Sequence, residues 1–368
     1  MKRWIWIGGA AAVLIVSAVW AATLYTSAKS GAKSDAKSDA KPDAASTAPE
    51  TYQNPVFEPV LADPSVLRAE DGYIYAYGTE DDWADGEGAR VVPVLRSKNM
   101  AAWEYVGEAF ETKPSWKPGG VWAPDVSYFN GMYYMYYTMS IWGDDNPGIG
   151  LAVADSPAGP FEDLGKLFDS DEIGAYSIDP MLIVEESVPY LFFGSIEAGI
   201  YGIELTEDGT ATVGEKFQIS APGYEAPYIF KKDGYFYFFG SAGTCCDGAD
   251  STYRVETARA ESIKGPYVNK EGVDIRYAPG SLVLSGYFPP EQGKGLYVGP
   301  GHNSVITDDE GHDWMVYHAI AVDYPKFGNG VTRRPLMIDP IRWEDGWPVI
   351  TDALPSLEPM KAPVFRDR

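Results

Sequence analysis

One nine-residue pattern occurs five times in this sequence, and it limits the possible folds more than any other feature. Each copy opens with a turn, in most cases Asp-Gly or Asn-Gly, and continues into an aromatic and β-branched run that ends on a small residue. The copies are DGYIYAYGT (71–79), NGMYYMYYT (130–138), SVPYLFFGS (187–195), DGYFYFFGS (233–241) and GHDWMVYHA (311–319). Each copy is therefore predicted to form the second strand of a β-hairpin.

The segments around each copy complete a unit of about four strands. Strand-like sequence precedes every copy, as in SVLRAE, VSYF, MLIVEE, YIFKK and SVITDD, and more follows it. A four-stranded unit cannot bury both of its faces alone, so it needs a neighbour on each side. We therefore predict an all-β fold over residues 51–368, a five-bladed β-propeller with a central active-site channel. A β-sandwich with an appended domain, or a solenoid, does not predict five such units.

The first 50 residues have a different character. Lys2 and Arg3 precede an apolar run from Trp4 to about Tyr25, which predicts that residues 1–26 form either a cleaved signal peptide or an uncleaved signal anchor. No Cys follows this run, so a lipid anchor is excluded there. Residues 27–50 are of low complexity and are predicted to be a flexible tether. The chain is thus expected to be exported, and either secreted or tethered to the outer face of the cytoplasmic membrane.

Charge and aromatic content restrict the partners of the folded part. The net charge is -24 with a pI near 4.4, and such a charge repels a phosphate backbone, which excludes nucleic acid. A neutral polysaccharide is compatible with this charge. The 25 Tyr, 15 Phe and 11 Trp suit pleated strands and also stack on sugar faces. A monomer is expected, with membrane contact only through the N-terminal segment.

The two cysteines are adjacent in sequence. Cys245 and Cys246 cannot join distant segments or supply a metal cage. Either they form a vicinal disulfide, which an oxidising compartment permits, or they are two thiols within a loop.

Several ionisable residues share one position relative to the repeat. Counting back eight residues from each copy gives Asp63, Trp122, Asp179 and Glu225, and counting back nine in the fifth copy gives His302. The first strands of propeller blades line the axis, so these side chains are predicted to converge. Each acid adjoins a Pro segment, and for any one acid alone the better explanation is that it begins a strand or caps a turn. Three acids at one position favour a catalytic pocket, in which one protonated and one ionised carboxyl group hydrolyse a glycosidic bond.

Further segments in this order resemble glycoside hydrolases of family 43, and within that family the arabinanases. They are ADPSV (62–66), VWAPDV (121–126), SIWG (140–143), SIDP (177–180), YEAPYIF (224–230), CCDGADSTYRV (245–255) and GPGHNSV (299–305). The resemblance implies an inverting mechanism with Asp63 as general base, Glu225 as general acid and Asp179 as the carboxylate that tunes and orients the acid. The inverting geometry leaves room for water, with carboxyl groups roughly 6.5 to 9.5 Å apart.

The resemblance also implies that His302 holds a central hydrated ion, often calcium, with no organic cofactor. A single imidazole is a poor calcium site, so water would supply the other ligands. The alternative is a His302 that only forms hydrogen bonds inside the channel. His318, within a repeated strand, is expected to be structural, and His312 to be an exposed turn residue.

Aromatic residues near the predicted channel are candidates for sugar binding. We expect Trp83, Trp122 and Trp142 to bind substrate, because flat rings pack on sugar faces. Asp125 is predicted to be a supporting pocket residue in the same set. Trp103 and Trp343 are expected in the core. Arg333 and Arg334 either pair with a pocket carboxylate or lie at the surface.

The substrate expected from the resemblance is arabinan, a plant cell-wall polysaccharide cleaved internally at α-1,5-linked L-arabinofuranosyl bonds. An exo-arabinanase, an arabinofuranosidase or a β-xylosidase would use the same acids with a blocked cleft, and the insert 264–299 is a candidate wall. A non-catalytic carbohydrate-binding propeller would have lost one of the acids. The chain departs from the family pattern at Ala62, Ser177 and 146–148, which leaves the acids in place.

Overall fold

The computed structural model describes residues 49–287 and 295–366. The chain divides into two units, Met1–Ser46 and Thr47–Arg368. The predicted signal segment 1–26, and the predicted tether 27–50 apart from its last two residues, lie outside the described residues. Within the described residues, no helix is long and apolar enough to span a membrane.

Five antiparallel four-stranded sheets form the five predicted blades. The strands of each blade are consecutive in sequence except in blade 1, where a short hairpin lies between the second and third strands. Blade 1 contains Ser65–Arg68, Ile74–Tyr77, Pro93–Ser97 and Glu104–Glu108. Blade 2 contains Gly120–Phe129, Met132–Ser140, Gly148–Ala154 and Glu162–Asp169. Blade 3 contains Met181–Glu185, Val188–Ser195, Gly199–Leu205 and Thr212–Gln218. Blade 4 contains Glu225–Lys232, Tyr235–Ala242, Arg254–Ala260 and Ser281–Ser285. Blade 5 contains Tyr297–Thr307, Asp313–Ala321, Leu336–Glu344 and Trp347–Val349.

The first strand of every blade contacts the first strands of the blades before and after it. The same contact joins blade 5 to blade 1, so the ring of inner strands is closed. The predicted five-bladed propeller is confirmed. The nine-residue pattern is the second strand of each blade, as predicted, and its turn residues Gly72, Gly131, Gly234 and Gly311 have positive φ.

The hydrophobic core is divided among the interfaces between blades. Five clusters of buried side chains each join two adjacent blades: 1 with 2, 5 with 1, 3 with 4, 4 with 5, and 2 with 3. The alternating aromatic residues of the repeated strand fill these clusters, with Tyr77, Tyr137, Phe193, Phe239 and Tyr317 fully buried. Each blade therefore depends on both neighbours for the burial of its faces.

The two ends of the described chain also meet. Thr51–Tyr52 pairs with Met360–Lys361, and Phe57 forms a bridge with Leu336 of blade 5. The Asn54 side chain accepts from the Ile338 amide and donates to the Ile338 carbonyl. The remaining elements of the described residues are the hairpin Asp81–Asp82 with Ala89–Arg90, the helix Ser170–Ile173, and the 3-10 turns Gly248–Asp250 and Thr351–Ala353.

A kinked residue lies at or before the inner strand of each blade, with φ in the left-handed region. These residues are Asp63 (55°), Ala123 (44°), Asp179 (55°), Ala226 (52°) and His302 (49°). This conformation costs a residue with a Cβ roughly 1–2 kcal/mol. The kink is the true equivalent position in the five blades. The predicted alignment of Trp122 and Glu225 with it is therefore wrong by one residue.

The shift of one residue has a structural cause. Trp122 and Glu225 are still paired with the second strands of their own blades, at Thr138 and Ser241, and the register slips immediately after them. The kink therefore falls on the alanine that follows each residue. Glu225 projects from the residue before the kink, whereas Asp63 and Asp179 project from the kink itself.

Hydrogen bonds from the preceding blade hold each kink in place. The amides of Ala123, Asp179 and His302 donate to the hydroxyls of Thr79, Thr138 and Ser241, at 2.8, 2.9 and 2.8 Å. These hydroxyls belong to the small residues that end the repeated pattern. The Asp63 amide donates to His318 Nδ1 of blade 5 (3.0 Å), and the Ala226 amide to Asp179 Oδ2 of blade 3 (3.1 Å). One such bond therefore crosses each of the five interfaces.

Replacement of Thr138 by Val tests this arrangement. Thr138 is fully buried, so the variant leaves the Asp179 amide without a partner, and we expect a loss of about 1–3 kcal/mol in the free energy of unfolding. Urea denaturation followed by tryptophan fluorescence measures this. Thr138→Ser keeps the hydroxyl and should retain most of the stability. Equal stability of the two variants would contradict the proposed role of the hydrogen bond.

Candidate active site

The kinks and the loops after the second strands surround one cleft at the end of the propeller axis. Its volume is about 450 Å³. Blades 1 to 4 contribute the loops at 78–92, 141–147, 196–198 and 243–253, and blade 5 contributes Arg334. The cleft is lined by Asp63, Thr79, Glu80, Asp81, Trp122, Ala123, Ile141, Trp142, Gly143, Tyr176, Ile178, Asp179, Glu197, Glu225, Cys245, Cys246, His302 and Arg334. The three predicted catalytic acids are thus brought together.

Asp63 is held by partners from two blades. The Thr79 hydroxyl donates to Asp63 Oδ2 at 2.6 Å, and Arg334 Nη1 donates to Oδ1 and Oδ2 at 3.0 and 3.2 Å. His302 Nδ1 lies 3.3 Å from Asp63 Oδ1. Burial alone would raise the pKa of Asp63, but the Arg334 guanidinium and the Thr79 hydrogen bond hold it well below its usual range. Asp63 is therefore an ionised carboxylate, as a general base must be.

Glu225 has the opposite protonation tendency. Burial raises its pKa to about 7, and the negative charges of Asp63 and Glu197 add to this effect. The Tyr253 hydroxyl donates a hydrogen bond to the Glu225 carboxyl group, which partly offsets the rise and fixes the side chain. Glu225 is therefore protonated below about pH 7 and partly protonated at neutral pH, so it can serve as a general acid there.

The pKa of Asp179 is raised, as is that of Glu225. Burial, followed by the charges of Glu225 and Asp63, raises the pKa of Asp179 well above its usual range. Its Oδ2 accepts from the Ala226 amide, the residue next to Glu225, at 3.1 Å. Asp179 thus competes with Glu225 for a proton and fixes the backbone that carries the acid.

Two histidines lie beside Asp63, and both are neutral. Burial lowers the pKa of His318 to about 3 and also lowers that of His302. His318 is fully buried and accepts from the Asp63 amide through Nδ1, so its proton is on Nε2. Tyr253 stacks on the His318 ring, with centroids 6.0 Å apart and planes 9° apart. His318 is structural and His312 is an exposed turn residue, as expected.

The side chains around His302 do not form a calcium cage. The described residues contain no group of three or more His, Cys, Asp or Glu able to hold a metal ion. Asp63 is committed to Arg334 and Thr79, and Asp179 to the Ala226 amide. Calcium prefers six to eight oxygen ligands, so any ion here would be bound mainly by water.

Two of the predicted sugar-binding tryptophans line the cleft. Trp122 packs against Gly120, where a Cβ would lie 2.4 Å from the indole nitrogen, so only glycine allows this ring position. Trp142 is 82% exposed. Its loop is nevertheless anchored, because Lys117 bonds Asp144 at 3.0 Å and Tyr176 donates to the Asp144 carbonyl at 2.6 Å. Trp142 is thus an open aromatic surface on an anchored loop.

The prediction that Trp83 binds substrate is wrong. Trp83 is 8% exposed and lies outside the cleft lining, in the core between blades 5 and 1. Phe57 and Tyr105 contact its ring edges at centroid distances of 5.6 and 5.1 Å, and the Arg90 guanidinium lies 4.2 Å from its ring centroid. The hairpin that carries it directs the indole inward, which sequence spacing does not reveal.

Asp125 also lies outside the cleft lining, so its predicted place among the substrate-binding residues is corrected. Its Oδ2 accepts from the Leu182 amide of blade 3 at 2.8 Å, and Ser65 of blade 1 donates to its Oδ1 at 3.4 Å. Burial raises its pKa to about 7. Asp125 therefore joins three blades below the cleft.

Several site residues were missed or left open by the sequence analysis. Arg334 pairs with Asp63 and also with Asp81, 3.3 Å away, whereas Arg333 pairs with Glu58 outside the cleft. Glu80, Glu197 and Tyr176 add further polar groups to the lining. Only Thr79, as the last residue of the repeat, and Tyr253, within the CCDGADSTYRV segment, had a sequence signal.

The insert 264–299 is not a wall of the cleft in its described parts. None of the described residues in this range lines the cleft. Residues 264–280 follow the third strand of blade 4 and pack back on it, with Val268 bridging both Arg259 and Asp274. They lie at the other end of the blade, because loops after first and third strands face away from loops after second strands.

A five-bladed propeller with an ionised Asp and a protonated Glu in one cleft has the components of a glycoside hydrolase. The sequence profile described as glycosyl hydrolases family 43 matches residues 52–348. The chain belongs to this family.

Relatives of known activity agree with this assignment. The extracellular endo-α-(1→5)-L-arabinanase 1 of Bacillus subtilis is 31% identical over 304 residues, which cover 78% of this chain and 87% of the relative. The extracellular exo-α-(1→5)-L-arabinofuranosidase of Cellvibrio japonicus is 31% identical over 324 residues, which cover 79% of this chain and 86% of the relative.

Solved structures share the fold. The α-L-arabinanase of Cellvibrio cellulosa superposes with a TM-score of 0.69 at 29% identity, covering 80% of this chain and 96% of that one. The family 43 endo-arabinanase from Bacillus licheniformis gives a TM-score of 0.66 at 31% identity, covering 78% and 97%.

Replacement of Arg334 tests the electrostatic assignment of the base. Arg334→Met removes the charge that depresses the pKa of Asp63, so the acidic limb of the kcat/KM profile should move to higher pH, by roughly 1 to 3 units. The alkaline limb, set by Glu225, should also move to higher pH but by less, because Arg334 is only a minor contributor to the pKa of Glu225. Arg334→Lys retains a charge and should shift the acidic limb less. An unchanged acidic limb in a folded Met variant would contradict the assignment.

Proposed function

We propose that this protein is an exported endo-arabinanase that hydrolyses internal α-1,5-linked L-arabinofuranosyl bonds with inversion. The observation that carries the proposal is the opposite protonation of two acids in one cleft, Asp63 ionised and Glu225 protonated. The endo-acting relatives from Bacillus subtilis and Bacillus licheniformis support the substrate and the mode of action.

The two acids divide the reaction between them. Glu225 donates its proton to the glycosidic oxygen as the bond to the anomeric carbon breaks. Asp63 takes a proton from a water molecule that attacks the opposite face of the same carbon. Arg334 and Thr79 hold the Asp63 carboxylate in one orientation throughout. Asp179 accepts from the Ala226 amide and so orients the backbone that carries Glu225.

The charge of the cleft favours a neutral polymer. Six carboxyl groups line it, those of Asp63, Glu80, Asp81, Asp179, Glu197 and Glu225. Among the described lining residues the only cation is Arg334, and Asp63 and Asp81 already occupy it. A polymer of uronic acids would be repelled at close range, whereas arabinan carries no charge.

Export rests on the sequence and on the relatives. The apolar run from Trp4 to about Tyr25 follows two basic residues, and two similar proteins are described as extracellular. We propose that the propeller acts outside the cytoplasmic membrane, on plant cell-wall arabinan. The vicinal disulfide formed by the two cysteines suits an oxidising compartment.

An exo-acting enzyme is the second candidate. The exo-acting relative of Cellvibrio japonicus is as similar to this chain as the endo-acting one of Bacillus subtilis. The same three acids serve both modes, and the loops around the cleft decide between them.

Product size over time distinguishes the two modes. Residues 49–368, purified from the periplasm of a bacterial host, are incubated with linear debranched arabinan and separately with xylan and polygalacturonate. We expect arabino-oligosaccharides of mixed length from the first minutes and no products from the other two polymers. Early release of a single short product would overturn the endo mode, and cleavage of xylan alone would overturn the substrate assignment.

Replacement of the acid should have a substrate-dependent effect. Glu225→Gln should reduce kcat on arabinan by several orders of magnitude, because the arabinosyl leaving group needs a proton. An aryl arabinofuranoside with an acidic phenol should lose much less activity. Thermal unfolding controls for folding. A similar loss on both substrates would contradict the role of Glu225 as the acid.

We also propose that any ion near His302 is hydrated calcium, with that imidazole as its one protein ligand. Two features support this: the single neutral imidazole and the commitment of both neighbouring carboxylates to other partners. Such an ion should be lost on dialysis against EDTA, with metal content measured by plasma mass spectrometry. Retention of a stoichiometric ion after EDTA would contradict a site made mostly of water.

A further inference from the structure

The disulfide between Cys245 and Cys246 lines the catalytic cleft but takes no part in the proton transfers of the proposed hydrolysis. Both cysteines are partly exposed and contribute to the cleft lining. They follow the second strand of blade 4, whose first strand begins with Glu225. The disulfide and the general acid therefore belong to the same blade.

The loop that carries the disulfide is tied at its neck. The Thr244 amide donates to Thr252 Oγ1 at 3.1 Å, and the Thr252 amide donates to Thr244 Oγ1 at 3.3 Å. Ser251 Oγ and the Tyr253 amide both donate to the Thr244 carbonyl. The neck continues directly into Tyr253, whose hydroxyl holds Glu225. The disulfide is thus held in position relative to the acid.

Bonding changes the surface that the two cysteines present. Two thiols would each offer a weak S–H donor on an independent side chain. The disulfide offers polarisable sulfur without a hydrogen-bond donor. Because it joins adjacent residues, it closes a small ring with few rotatable bonds. Carboxyl residues and tryptophans make up half of the other lining residues. Such a compact apolar surface suits the C–H groups of a sugar ring and leaves no buried donor unpaired.

We propose that the Cys245–Cys246 disulfide is a specificity-determining contact for the sugar on the leaving-group side of the scissile bond. This inference rests on the proposed arabinanase function. The disulfide packs on the C–H face of the furanose ring whose oxygen Glu225 protonates, and it favours a pentofuranosyl leaving group over a non-sugar one.

The double variant C245A/C246A tests the contact. On linear arabinan its KM should rise by about three- to tenfold, as loss of a small apolar contact implies, and kcat should change much less. On an aryl arabinofuranoside, which has no leaving sugar, both constants should match those of the wild type. Asp247→Ala is the matched control, because Asp247 is exposed in the same loop and does not line the cleft.

Reduction of the wild type provides a second test that does not depend on folding of a variant. A dithiol reductant is oxidised to its own disulfide, while Cys245 and Cys246 each gain one electron and one proton. Thiol titration confirms the reduction. The KM for arabinan should rise as in the double variant and return to its original value on reoxidation.

Three outcomes would overturn the inference. One is an unchanged KM for arabinan in both the double variant and the reduced protein. Another is an equal loss on arabinan and on the aryl glycoside, which would indicate a general structural role. The third is wild-type protein that is inactive on arabinan, which would overturn the proposed function and this inference together. The first two would leave the proposed function intact.

Discussion

The fold and the active site both depend on hydrogen bonds between kinked backbone amides and groups on the preceding blade. In three of the five bonds the acceptor is the hydroxyl that ends the repeated strand, as in Thr79, Thr138 and Ser241. In the other two it is His318 or Asp179. A backbone in the left-handed region persists only where its surroundings hold it, and these bonds supply that constraint. They also aim Asp63 and Asp179 into the axis.

The two acceptors that are not hydroxyls lie beside the proposed catalytic acids. His318 replaces a hydroxyl at the blade 5 interface, and its neutral ring lies beside Asp63. Asp179 replaces a hydroxyl at the interface between blades 3 and 4, so one carboxyl group holds the backbone next to Glu225. Burial and the charge of Glu225 raise the pKa of this carboxyl group. Arg334 keeps Asp63 ionised, because its charge offsets the effect of burial on the Asp63 carboxyl group. Arg334 also lies beside Asp81. The catalytic difference between Asp63 and Glu225 is therefore produced by their partners.

Much of this could be predicted from the sequence because the same nine-residue pattern is recognisable in all five blades, although its spacing varies. The repeat predicts the blade count and the second strands, and counting back from it locates Asp63, Asp179 and Glu225 near one another. The repeat does not predict the position of the kink. In blades 2 and 4 the kink lies one residue later than the count from the repeat gives, and this offset depends on how the first two strands pair. The sequence left open whether Arg334 pairs with a pocket carboxylate, because Arg334 and Asp63 are 271 residues apart. The predictions that Trp83 and Asp125 line the substrate cleft were wrong for a related reason. Proximity to a motif in sequence does not determine the direction in which a side chain points.

If Asp63 activates water and does not attack the sugar itself, the first product must have an inverted anomeric centre. The stereochemistry of that product is therefore the measurement to make. Proton NMR, recorded within minutes of adding the wild type to linear arabinan, detects the anomer before mutarotation. With Asp63 as general base, we expect the new reducing ends to form as the β-anomer, inverted relative to the α-linked substrate. Initial formation of the α-anomer would contradict it, because retention requires a covalent intermediate on an enzymatic nucleophile.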